Sequence, residues 1–172
     1  MSTDLGLRGR VALVTGGSKG LGLACAQARE GGRVAIASRA QANVDAALAR
    51  LSGAMGVAAN FADSAAALAA IDAVEAHLGP IDLLVNSAGA ARRTPVDDLT
   101  SADWRAAMDA KYFTYVNAFE LLVKRMAARG RGATREPISR SAVTYVTRTQ
   151  SDASAPWENA FGKIRCGGYD DP

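Results

Sequence analysis

Arg10-Val-Ala-Leu-Val-Thr-Gly-Gly-Ser-Lys-Gly-Leu-Gly22 is the stretch that decides how this chain of 172 residues folds. Val11 to Val14 is a short, mostly branched apolar run, which predicts a buried parallel strand. Thr15-Gly16 follows, then three residues, Gly20, one residue and Gly22, where a helical pattern of Leu21, Leu23, Ala24 and Ala28 opens. Each glycine has a task in such a turn. Gly16 swings the chain off the strand, Gly20 lets backbone approach a pyrophosphate, and Gly22 lets the helix start close against the sheet. The helix's first N–H groups and positive dipole end then face the phosphates. The alternative is an ordinary strand-to-helix turn; the flanking strand and helix favour the phosphate-binding reading. A Walker-type loop is excluded, because no Gly-Lys-Ser or Gly-Lys-Thr closes it.

The remaining chain repeats the strand–helix alternation. Arg33 to Ser38 reads as a second strand with Arg39 directly after it, and Gln41 to Leu51 has helical spacing through Val44, Leu48 and Leu51. Val57 to Ala59 is a short third strand ending in Asn60-Phe61. Ser64 is expected to cap an Ala-rich helix carrying Leu68, Ile71, Val74 and Leu78. Gly79-Pro80 break the chain before a fourth strand, Ile81 to Asn86, and Asp103 to Arg129 is one long helical pattern stopped by Gly130 and Gly132. Such alternation predicts an α/β fold with a doubly wound parallel sheet.

At Ala133 the character changes. The first 132 residues hold 14 Leu and the last 40 none, while three of the five prolines fall in those 40. The expected organisation is a dinucleotide-binding domain over residues 1–132 and an atypical tail over 133–172, irregular except for a strand at 141–147. The sheet is thus expected to be truncated after the fourth strand and its long following helix, leaving that strand an exposed edge.

Composition narrows the classes of function. The net charge of +3 is mild and the cations are spread out with no basic run, so nucleic acid is not implied. Met1 to Arg10 lacks the apolar core of a signal peptide, and no apolar run reaches membrane-spanning length, so a cytoplasmic protein without membrane partners is expected. Cys25 and Cys166 lie far apart without a CxxC, and the lone His77 sits at a helix end, so no metal site is expected.

Thr15-Gly16-xxx-Gly20-x-Gly22, then Asn86-Ser87-Ala88-Gly89, then the long Trp104 helix resemble the short-chain dehydrogenase/reductase family, over about residues 5 to 132. The resemblance implies a Rossmann-like fold, a bound NAD or NADP, hydride exchange with a small-molecule carbonyl or alcohol, and a homo-oligomer. It implies cofactor contacts at Gly16, Ser18, Lys19, Gly20, Leu21 and Gly22 in the loop, at Asn60 and Phe61 near the adenine, and at Asn86, Ala88 and Gly89 after the fourth strand. Asn60 stands where the family usually has Asp, and Ser87 replaces an Asn the family often shows. Charge argues for NADP over NAD. An acid after the second strand would grip a ribose 2′-hydroxyl, whereas Ser38 and Arg39, with Lys19 nearby, suit a 2′-phosphate. The other reading of Arg39 is a solvated residue at a helix start.

The family's proton-transfer set is not matched. It uses Tyr with Lys four residues later, a Ser about a dozen residues before the Tyr, and an Asn on the long helix. Here Lys111 takes the Asn position, Tyr145 has Thr149 four residues on, and Tyr112 and Tyr115 likewise lack the Lys. Ser141 and Tyr145 are weak candidates, for which a plain strand is the alternative. Two functional classes follow: an NADP-dependent oxidoreductase, or a catalytically silent NADP-binding fragment produced by truncation or a frame shift near codon 133.

Overall fold

Val11–Thr15 forms β1, the strand on which the sheet is centred, and its alternate side chains feed two separate cores. The computed structural model describes residues 7–28, 31–90, 94–135 and 147–150. After β1 come α1 (Gly20–Gln27), β2 (Arg33–Ser38), α2 (Gln41–Leu48), β3 (Met55–Ala58), α3 (Ser64–Leu78) and β4 (Leu83–Asn86). A 3₁₀ turn at Val96–Asp98 leads to α4 (Ser101–Met108), a π-helical turn (Asp109–Phe113), α5 (Thr114–Ala128), β5 (Arg131–Arg135) and β6 (Thr147–Gln150).

The strand order is β3-β2-β1-β4-β5-β6, with β1 to β5 parallel and β6 antiparallel at the edge. This is the doubly wound, Rossmann-like sheet expected. Val11 and Leu13 point to the face covered by α3 and α5, where they meet Ile71, Val74, Leu84, Leu122 and Met126. Val14 points to the opposite face and meets Leu23, Ala26, Ile36, Ala47 and Val85 beneath α1 and α2.

The sheet does not stop at β4, and that expectation is corrected. Arg131–Arg135 pairs with β4 in parallel, Leu83 opposite Ala133 and Val85 opposite Arg135. The reason lies outside any apolar run. Asp82, only 7% exposed, accepts from the Val11 N–H (3.2 Å) through Oδ2, while its Oδ1 lies 3.0 Å from Arg131 Nε and 3.7 Å from Arg10. One carboxylate thus ties together the starts of β1, β4 and β5. Gly132 brings β5 against α5 so closely that a Cβ there would stand 2.4 Å from Met126 Cγ. With β5 in place, Leu122 and Met126 are fully buried. Of the strand expected over 141–147, residues 141–146 lie outside the described residues, and Thr147 opens β6 instead.

Two local expectations also change. The cap of α3 is Asp63 rather than Ser64; its carboxylate accepts from Ala65 N (2.8 Å) and Ala66 N (3.2 Å). The long helix is interrupted by the π turn at Asp109–Phe113, where the Thr114 hydroxyl bonds to the carbonyls of Asp109 (3.1 Å) and Ala110 (3.2 Å). Trp104, Met108, Tyr112 and Phe113 on this run are exposed, the last two edge to face. Among the described residues, no helix is long and apolar enough to cross a membrane.

Candidate functional site

The chain leaves β1 toward β2 and β3 on one side and returns to place β4 on the other, so a crevice opens beyond the carboxyl ends of these strands. Register puts Thr15 level with both Ala37 and Asn86, so three strand ends meet at one height. A cleft of about 680 Å³ lies there.

Thr15 is the knot of the cleft floor. It is fully buried; its hydroxyl lies 3.3 Å from Asn86 Oδ1 and accepts the Ala88 N–H at 3.2 Å, while its carbonyl accepts the Ser87 N–H. Gly16 leaves the strand at φ +67° and donates its N–H to the Ala37 carbonyl at 2.8 Å. A Cβ at Gly16 would stand 2.7 Å from Ala88 backbone, so no side chain fits between the β1 and β4 ends. Gly22 is equally confined, its missing Cβ being 2.5 Å from the Gly16 carbonyl oxygen, which is how α1 starts flush with the loop. The open space is at Gly20, where nothing lies within 4 Å of a would-be Cβ.

Lys19 caps α1 by backbone geometry alone, with no side-chain acceptor on its first N–H groups. No side chain among the described residues takes up those donors at the helix start, beside Gly20 and Leu21 in the cleft lining, which suits an anion. Ser18 donates to the Ser38 hydroxyl at 3.1 Å, joining the loop to the end of β2, and the exposed Lys19 and Arg39 flank this pair. Among the described residues lining the cleft, these are the two cations and there is no carboxylate.

The structure brings most of the expected site together. Gly16, Ser18, Lys19, Gly20, Leu21, Ser38, Arg39, Asn60, Phe61, Ala88 and Gly89 all line the cleft. Gly22 and Asn86 stand behind it, buried, the first in loop packing and the second against Thr15. Phe61 has its ring in the core and Asn60 uses its Oδ1 on the Ala62 N–H at 3.3 Å. Lys111 sits in the π turn with its stem over Gly89, its Cδ being 3.4 Å from where a Cβ would stand. Ser141 and Tyr145 lie outside the described residues, whereas Thr149, four residues after Tyr145, is in strand β6.

Sequence reasoning misses Asn43, Ala110 and Thr114, which also line the cleft. Asn43 could have been found, four residues after Arg39 in the first turn of α2. Ala110 and Thr114 carried no signal, because their approach depends on the π turn. His77 is exposed, and no group of metal-ligating side chains occurs among the described residues.

The short chain dehydrogenase family profile matches residues 10–134. D-threitol dehydrogenase of Mycolicibacterium smegmatis is 39% identical over 136 residues, covering 76% of this chain and 52% of that one. NADP-dependent (R)-specific alcohol dehydrogenase of Lentilactobacillus kefiri is 34% identical over 133 residues, covering 74% and 52%. The apo structure of LigO from Sphingobium sp. strain SYK-6 superimposes with a TM-score of 0.74 at 34% identity, covering 80% of this chain and 54% of that one. The chain spans about half the length of the curated relatives it matches.

Proposed function

This chain belongs to the short-chain dehydrogenase family, and from that premise we propose that its cleft binds NADP in preference to NAD, for hydride exchange with a small alcohol or carbonyl compound. The observation that carries the reading is the pairing of Ser18 with Ser38 between Lys19 and Arg39, in a cleft with no carboxylate among its described lining residues. Hydroxyls and cations suit a 2′-phosphate, and the position after β2 where an acid would repel it holds Ser38 and Arg39.

The donor set fits the rest of the cofactor. The uncapped N–H groups at the start of α1 would hold the pyrophosphate, with Gly20 leaving room for it. Ala88 and Gly89 would lie along the ribose, and Asn60 beside the adenine. When bound, the nicotinamide accepts or donates the hydride. The protein's own part here is binding and orientation: Thr15 fixes Ala88, the Ser18–Ser38 pair fixes the phosphate end, and the Lys111 stem packs over Gly89.

The test titrates NADPH and NADH against the protein and against Arg39→Ala. Loss of one charge-assisted contact should weaken NADPH by about 1.5–3 kcal/mol and leave NADH nearly unchanged. Equal affinity of the parent for both dinucleotides refutes the NADP reading. Turnover is followed by NADPH absorbance with small polyols and their ketones first, since D-threitol dehydrogenase is among the relatives.

The second reading is an NADP-binding chain that does not turn over. It is favoured by Lys111 at the family's Asn position and by Thr149, in a strand, where Tyr145 would need a helical Lys. Without a positioned proton donor, a contribution of about 10²–10⁴-fold in rate is absent. Turnover abolished by Tyr145→Phe would overturn this second reading. We further propose self-association through the exposed face of Trp104, Met108, Tyr112 and Phe113, checked by size-exclusion chromatography.

A further inference from the structure

Asn117 lies in α5, three residues past Thr114, and reaches across to a loop 56 residues away. Its side-chain amide donates to two consecutive carbonyls of the β3–α3 connection, Phe61 O at 2.9 Å and Ala62 O at 3.1 Å. The amide nitrogen is therefore committed to one short segment, the segment whose members Asn60 and Phe61 line the cleft.

That connection is held in three ways. Asn60 folds it internally, accepting from Ala62 N through Oδ1 and from Asp63 N through its carbonyl. The Phe61 ring, 3% exposed, fixes its depth in the core. The first tie is internal to the connection, and the second is apolar packing in the core that Phe61 shares with Ala118 and Leu122 of α5, which sets depth without hydrogen-bond direction. Asn117 supplies a directed tie, because α5, whose first residue Thr114 lines the same cavity, continues the π turn that supplies Ala110.

We propose that Asn117 is a positioning residue for the base end of the bound nucleotide, gauging the cleft width between the Asn60–Phe61 segment and the π turn. The proposal rests on the NADP reading above. A connection held in place before binding spares the nucleotide the cost of ordering it. Freed from Asn117, the Phe61 and Ala62 carbonyls turn to water and the segment samples positions that no longer face the base.

The experiment titrates NADPH and 2′,5′-ADP against the parent, Asn117→Ala, Asn117→Asp and a core control, Val74→Ala, with melting temperatures for all four. Val74 is fully buried away from the cleft, so it reports what lost stability alone does to binding. Amide hydrogen exchange at Ala62 and Asp63 is followed in the same proteins without ligand. Asn117→Ala should weaken both nucleotides by roughly tenfold, the loss of two modest hydrogen bonds, and speed exchange at Ala62 and Asp63. Asn117→Asp, with oxygen facing two carbonyls, should be at least as weak. Val74→Ala should melt lower yet bind as the parent does. Parent-like binding and exchange in Asn117→Ala overturn the proposal, as does an equal loss of affinity in Val74→Ala. A parent that binds neither nucleotide overturns the NADP reading and the nucleotide part of this inference; the exchange rates still decide whether Asn117 holds the segment.

Discussion

Replacing Asp82 by Ala tests the junction on which the fifth strand depends. Two losses contribute. The Val11 N–H, in a residue with no exposure, is left without its side-chain acceptor, which costs about 1–3 kcal/mol. The ionic share is smaller, because the Arg131 and Arg10 side chains are 56% and 45% exposed; solvent screening leaves about 0.2–1 kcal/mol for it. The sum centres on about 2–3 kcal/mol, or a melting temperature roughly 4–12 °C lower at this chain length. Asp82→Asn keeps an acceptor for Val11 and loses only the charge, so about 1 kcal/mol or less is expected. Urea denaturation of the two variants and the parent measures both differences, and hydrogen exchange at Val11 and Ala133 localises them. The Ala133 amide is diagnostic, since it donates to the Asp82 carbonyl at 2.9 Å and exists as a protected donor only if β5 is paired. A parent-like Asp82→Ala, or an Ala133 amide that exchanges freely in the parent, refutes the account of β5. An Asn variant as damaged as the Ala variant would mean that charge, not the hydrogen bond, dominates.

Other outcomes follow from the same geometry. Gly16→Ala should abolish nucleotide binding by calorimetry, because a Cβ 2.7 Å from Ala88 backbone and a φ of +67°, which alone costs roughly 1–2 kcal/mol, together force the loop out of place. Leu122→Ala, at a fully buried site against β1 and β4, should cost about 3 kcal/mol in urea denaturation. Arg125→Gln removes 2.6 Å contacts with Asp72 and Glu75; with the side chains 30%, 55% and 17% exposed, it should cost under about 1 kcal/mol and the difference should shrink at high salt. The Arg125 guanidinium is held above its ordinary pKa by its hydrogen bond to Glu75 first and to Asp72 second. Its contribution is complete below its unfolded pKa, so it is constant across the neutral range.

The sequence made some elements easy to read and concealed others, for physical reasons. β1 and β2 stand out because both faces are covered: Val11, Leu13 and Val14, and Val34 to Ala37, are all buried, and double burial demands an unbroken apolar run. The glycines of the loop and Ser38-Arg39 were legible because their roles depend on neighbours only a few residues away. β5 was not legible, since Arg131-Gly-Ala-Thr-Arg135 has a single apolar side chain. It is a strand because β4 offers a ladder, Asp82 binds Arg131 and Gly132 fits beneath Met126, all contacts of long range. The cap on α3 is ambiguous by one residue in the sequence, since Asp63 and Ser64 are both good caps and only geometry chooses Asp63. Asn117 gave no signal because its partners are backbone carbonyls, which look alike in every sequence.

The π turn at Asp109–Phe113 makes the long helix intolerant of a kind of change that substitutions never probe. A π turn carries one residue more than the α turn it replaces, and each residue of an α-helix advances the angle by about 100°. Downstream, Ala118, Leu122 and Met126 recur every four residues and lie on the sheet. Upstream, Trp104, Met108 and Tyr112 recur at the same interval and face outward. The extra residue sets the phase between these two rows. Deleting Ala110 would straighten the helix into plain α-geometry and rotate one row by about 100° relative to the other. Either the Leu122 row would leave the sheet or the Trp104 row would swing away from its present outward position. A chain of this architecture can exchange the outward side chains of the helix at little cost, but a single-residue insertion or deletion between Met108 and Thr114 would break the phase of both rows.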